Sequence, residues 1–109
     1  MIVDSIQDIK GKNITKLDLR GLDATPTDFF IICEGESNTQ VKAIAENIRK
    51  RLKEEAKTLP TRIEGLQAGV WALIDYFNIV VHVFHPEKRA FYDLENLWSD
   101  AVFTEYASL

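Results

Sequence analysis

A single cysteine among 109 residues leaves no partner for an internal disulfide, so the fold must be held by packing and hydrogen bonds, which suits a reducing compartment. That cysteine, Cys33, lies in the apolar run Phe29-Phe30-Ile31-Ile32-Cys33 and reads as buried. No apolar run approaches the ~20 residues of a membrane span. The opening Met1-Ile2-Val3-Asp4-Ser5 shows neither the basic start of a secretory signal nor the Arg-rich, acid-poor pattern of a transit peptide. The expectation is a cytoplasmic protein with no membrane partner. Positive charge is also scarce: 13 Lys and Arg against 17 Asp and Glu give a net charge of -4, which argues against charge-driven binding along a nucleic-acid backbone, DNA included. Internal repeats, low-complexity tracts and Pro/Gly/Ser-rich linkers are missing too, so one domain over residues 1–109 is expected.

What is present is an ordinary globular composition, 46% hydrophobic and 28% charged, enough to build a core. Ile2, Ile6 and Ile9 share one face of a short opening helix that ends near Gly11. Thr15 to Arg20 alternates, with Leu17 and Leu19 against Lys16, Asp18 and Arg20, as in a half-buried strand at or near a sheet edge. Asp28 to Glu34 is apolar on both faces and predicts an inner strand, paired with the first as a hairpin. Ser37 and Gln40 form a capping box, after which Val41, Ile44, Ala45, Ile48 and Leu52 follow at helical spacing to about Lys57, before Pro60. Thr61 to Glu64 reads as a short strand. Val70 to Asp75 and Ile79 to Phe84 read as a strong hairpin turning at Tyr76-Phe77-Asn78. Pro86 opens a short helix to about Phe91, and Asp93 to Trp98 adds a turn or two. The tail from about residue 100 carries no clear signal and is expected to be flexible. The fold class expected is therefore α/β, a mixed sheet of about five strands with helices mainly on one face.

Chemistry-bearing patterns are few. No G-x-S-x-G elbow, Walker A loop, G-x-G-x-x-G or H-E-x-x-H occurs, and Cys33 has no neighbouring base, so no catalytic residue is assigned. His82 lies inside an apolar strand and His85 beside Pro86, which favours structural histidines over metal ligands; neither a metal nor a cofactor is expected. Gly35-Glu36-Ser37 before the long helix could cradle a phosphate, yet Glu34 and Glu36 would repel one, and simple helix capping is the better reading.

The strand at 70–75 raises a different possibility. Alternation places Trp71, Leu73 and Asp75 on one face and Val70, Ala72 and Ile74 on the other, so both faces carry large apolar groups. With helices mainly on one side, Trp71 and Leu73 form either core or an exposed patch. Aromatic residues such as Trp71 and Tyr76 are the side chains that most often anchor interfaces, and Asp75 and Glu64 would give an acidic rim for a basic partner.

Several motifs occur in order: Leu17-Asp18-Leu19-Arg20-Gly21-Leu22, Thr27-Asp28-Phe29-Phe30-Ile31-Ile32, Gly35-Glu36-Ser37 leading to Gln40-Val41, Arg62-Ile63-Glu64-Gly65, Trp71-Ala72-Leu73-Ile74-Asp75-Tyr76, Val80-Val81-His82-Val83-Phe84, and Phe91-Tyr92-Asp93-Leu94-Glu95 before Leu97-Trp98. In these the sequence resembles the ribosomal silencing factors, the RsfS or Iojap-like family, from about Ile9 to Asp100. The resemblance implies a factor that binds the large ribosomal subunit through its universal ribosomal protein number fourteen, blocks joining of the small subunit, and represses translation under nutrient limitation. It also implies a nucleotidyltransferase-like fold, no enzymatic activity, and a tendency to form a homodimer. Carried onto matching positions, it points to Trp71, Leu73 and Tyr76 as contact anchors, with Asp75, His82 and Glu64 as polar partners. The chain departs from the family pattern at Glu36 and Thr39.

Two other readings stand beside this one. A nucleotidyltransferase-like enzyme acting on a nucleotide or RNA end would use the Gly-Glu-Ser turn, although the Asp-x-Asp pair such enzymes use to hold metal is absent. A single-strand RNA binder would stack bases on Trp71 and Phe84, against an unfavourable net charge.

Overall fold

The computed structural model describes residues 1–109. Along the chain it contains α1 (Ile2–Asp8), β1 (Lys12–Asp18), β2 (Phe29–Glu34), α2 (Asn38–Ala56), β3 (Arg62–Glu64), β4 (Trp71–Asp75), β5 (Ile79–Phe84), α3 (Pro86–Tyr92), α4 (Leu94–Leu97) and β6 (Val102–Tyr106). The strands form one six-stranded sheet in the order β3-β4-β5-β2-β1-β6. All neighbours are antiparallel except the central pair β2 and β5, which run parallel with Ile32 opposite His82. The expected hairpins are present, β1 with β2 and β4 with β5.

Local chemistry sets the long helix. Ser37 holds an extended backbone at the N-cap, and its hydroxyl accepts from the Gln40 N–H at 3.1 Å. Gln40 reaches back as a capping box requires, but it accepts from Glu36 N–H, at 2.6 Å. Its amide nitrogen also donates to the Ile9 and Lys10 carbonyls, so one side chain starts α2 and ties down the end of α1. At the far end Lys57 turns left-handed with φ 53, ending the helix before Pro60.

The alternation of each strand sorts its side chains into two layers. On one face Ile14, Ile31, Cys33, Ala72, Ile74, Val81 and Val83 pack against Ile2 and Ile6 of α1 and the apolar stripe of α2. On the other, Leu17, Leu19, Phe30, Ile32, Val80 and Phe84 form a smaller cluster, partly closed by Trp71, Leu73, Leu94 and Trp98.

Two expectations change. The sheet has six strands where about five were expected, because residues 102–106 of the supposedly flexible tail pair with β1, Leu17 opposite Phe103 and Ile14 opposite Tyr106. This moves β1 off the edge and leaves β3 and β6 outermost. The helices also divide between the faces: α1 and α2 cover one, while α3, through Arg89 and Tyr92, and α4, through Leu94, lie over part of the other. Arg89 fixes α3 there. Its guanidinium, buried against the sheet, donates to the Asn13 carbonyl and pairs with Glu34 and Glu95.

Candidate functional site

The second sheet face, where it is not covered by α3 and α4, is the candidate site. Pairing across the sheet arranges it in rows: Trp71 opposite Phe84, Leu73 between Glu64 and His82, and Asp75 between Arg62 and Val80. Trp71 and Leu73 are partly buried, each with side-chain surface left to solvent. The indole stacks on Phe84 at 4.9 Å between centroids and lies 4.5 Å from the Tyr92 ring, so it is held between a core phenylalanine and an exposed tyrosine. An aromatic fixed in this way has little rotamer entropy left to lose on binding.

Gly65 shapes the same strand. It adopts φ +80, and a Cβ built there would collide with the Trp71 carbonyl oxygen, so only glycine lets the β3 end approach β4 so closely.

The expected polar partners sit differently from one another. Asp75 and Glu64 do flank the row, but Arg62 lies 3.5 Å from each carboxylate and partly neutralises the expected acidic rim. The Asp75 carboxylate also accepts from the Phe77 N–H at 2.8 Å. His82 faces the site yet is only 4% exposed, so it cannot itself meet a partner. Its Nδ1 accepts the Trp71 indole N–H at 3.1 Å. Burial pushes the imidazole down to about 4, so the ring is neutral at physiological pH and the proton lies on Nε2.

Tyr76 is not brought to this surface. It is buried in the opposite layer, packed with the α1 and α2 side of the core. The alternation that puts Trp71, Leu73 and Asp75 on one face sends residue 76 to the other, a signal available in the sequence. Aromatic area at the site comes instead from α3: Tyr92 is 45% exposed and Phe91 76%, with Leu97 of α4 also open. The Phe91-Tyr92 pair at the end of a short helix is the feature that could have indicated them.

The structure assembles little that resembles a reaction centre. Cys33 is fully buried, and burial pushes its thiol up to about 12, far from a reactive thiolate. No group of three or more His, Cys, Asp or Glu side chains is arranged to hold a metal ion. At the Gly35-Glu36-Ser37 turn, the Glu36 and Gln40 N–H groups are taken by the chain's own side chains. Phe84 is fully buried, which corrects its suggested part as a stacking platform for RNA bases. No helix is long and apolar enough to cross a membrane.

Topology and site together define a mixed α/β protein that presents an aromatic surface on the sheet face away from its long helix. A crystal structure of a Chromobacterium violaceum protein has the same architecture, with a TM-score of 0.84 and 40% identity over 90% of this chain and 80% of that one. The family model described as "Ribosomal silencing factor during starvation" matches residues 1–108. The ribosomal silencing factor RsfS of Halalkalibacterium halodurans is 40% identical over 105 residues, covering 96% of this chain and 88% of that protein. The mouse protein named "Mitochondrial assembly of ribosomal large subunit protein 1" is 35% identical over 75 residues, 67% of this chain and 33% of its own length. The chain belongs to the ribosomal silencing factor family, as its ordered motifs suggested.

Proposed function

We propose that this protein binds the large ribosomal subunit through the surface centred on Trp71 and Leu73 and, once seated, keeps the small subunit from joining, so that translation is repressed when nutrients are short. The observation that carries the reading is the partly exposed indole, pinned between Phe84 and Tyr92 on a face that the long helix does not cover. Family membership supports the ribosome as the partner, and the docking point proposed on it is universal ribosomal protein number fourteen, as the family resemblance implies.

Blockade of this kind needs bulk and no chemistry. Direct hydrogen bonds between two macromolecular surfaces require polar atoms within about 3 Å of one another. A body measuring 33 × 32 × 25 Å, held on one subunit at the joining face, keeps the second out of reach. A standard interface takes ~800 Å² from each partner, a modest share of the 6129 Å² this chain exposes. The same aromatic surface suits self-association, so a homodimer would compete with docking. The site of action is the cytoplasm, where free subunits meet. The turn that a nucleotidyltransferase-like enzyme would use has its Glu36 and Gln40 N–H groups taken by the chain's own side chains, which weighs against that reading.

Sedimentation of purified small and large subunits, mixed with and without the protein, tests the proposal. The protein is expected to travel with free large subunits and to lower the joined fraction. A joined fraction unchanged at saturating protein would overturn it.

A further inference from the structure

His82 occupies a position built for an apolar residue. On its own strand Val80 and Phe84 flank it on the same face, its cross-strand neighbours are Leu73 and Ile32, and the Phe30 ring stands edge-on with centroids 4.7 Å apart. The ring is 4% exposed, and Nε2 is buried with no hydrogen-bond partner. A buried polar group left unpaired in this way costs roughly 1–3 kcal/mol, which a leucine of similar reach would avoid. The only hydrogen bond made by the imidazole is the one it accepts from the Trp71 indole. That bond spans from β5 to β4 and fixes the direction of the indole N–H edge, which the ring contacts with Phe84 and Tyr92, being undirected, do not specify.

We propose that His82 is a positioning residue: by accepting the indole N–H of Trp71 it fixes the orientation in which that ring meets the ribosomal partner. The assignment rests on the docking function proposed above. It accounts for a histidine where packing alone calls for a hydrocarbon, and it gives His82 a part in binding that its burial would otherwise forbid.

The test uses the full chain with two substitutions. His82→Leu removes the acceptor and the unpaired N–H together, while His82→Asn keeps an oxygen near the place of Nδ1. Three readouts are compared: denaturant unfolding, the indole N–H resonance of Trp71 (assigned with Trp71→Phe), and affinity for purified large subunits. His82→Leu is expected to be as stable as the parent or more so, to show an indole proton that shifts and exchanges faster with solvent, and to dock about tenfold more weakly, the size of one net hydrogen bond. His82→Asn is expected to restore indole protection and most of the affinity. A purely structural histidine would behave differently: His82→Leu would lose stability or fail to fold, and either result overturns the proposal, as does unchanged docking by a folded His82→Leu. If the unsubstituted protein itself leaves large subunits unbound, the docking function falls and the purpose assigned to His82 falls with it. Binding by the parent that His82→Leu retains removes the role of His82 alone.

Discussion

The Arg89 guanidinium lies 3.3 Å from the Glu34 carboxylate, joining α3 to the central strand β2 of the sheet. A second carboxylate, Glu95, closes on the same cation at 2.9 Å, and the Thr15 hydroxyl is 3.4 Å away. Buried ion networks contribute little compared with a well-packed apolar core, but removing one partner strands the others. Arg89→Ala is therefore expected to lower unfolding free energy by roughly 3 kcal/mol, measured by urea denaturation. Arg89→Lys should recover only part of it, since a single ammonium cannot serve acceptors on three strands or helices at once.

Tyr92 supports the indole from the solvent side while remaining 45% exposed. Tyr92→Ala is expected to weaken binding to large subunits by roughly 1–2 kcal/mol with a smaller loss of stability. Phe77→Ala provides the comparison, because Phe77 is 81% exposed at the β4–β5 turn, beyond the end of the aromatic cluster. Equal losses from both variants would show that general exposure of apolar surface, and not this cluster, governs binding.

The imidazole of His82 stays neutral in the folded protein down to about pH 4, whereas the unfolded chain protonates it near 6.5; burial is the cause, with no charged group contributing. The unfolded state thus binds more protons across that interval. The stability associated with the neutral ring is complete above pH 6.5 and declines by roughly 3 kcal/mol as pH falls to 4. Unfolding curves recorded through this window should show a steeper loss for the parent than for His82→Leu, and the ring resonances should titrate near pH 4.

Gly65 combines φ +80 with a backbone approach to Trp71 that leaves no room for a methyl group. Gly65→Ala is expected to cost more than about 1 kcal/mol and to disturb the Trp71 strand directly. A lower thermal midpoint together with a changed Trp71 indole resonance is the expected pair of observations.

Removal of residues 101–109 would strip β6 from β1 and make the longer strand β1 the edge of the sheet. Loss of the Phe103 and Tyr106 neighbours of Leu17 and Ile14 should lower the thermal midpoint, and the newly open strand should promote aggregation. Thermal denaturation with light scattering reads both effects. An unaltered midpoint would mean that β6 adds nothing to the fold.

Much of the architecture was legible in the sequence. The capping residues Ser37 and Gln40, the stripe from Val41 to Leu52, and the runs at 71–75 and 79–84 each report a local preference that the fold satisfies. β6 was missed because Val102-Phe103-Thr104-Glu105-Tyr106 has weak alternation, and all but Tyr106 remain exposed. Its pairing with β1 spans some 90 residues of chain. At the site, Trp71 and Leu73 followed from alternation and Tyr76 was misplaced by ignoring it. Arg89 carries no signal in the sequence, since the acids that enclose it, Glu34 and Glu95, are brought to it by the fold.

By itself, then, the amino-acid sequence determined which side chains share a face of each strand and helix, because that follows from backbone periods of 2 and 3.6 residues. Only the tertiary structure decided what each face meets: that Tyr92 of α3 reaches the second face, that the Trp71 indole N–H meets His82, and that Arg62 quiets the acids at the rim. Those outcomes depend on contacts between distant segments, which form according to how well surfaces and charges fit after the elements are already specified.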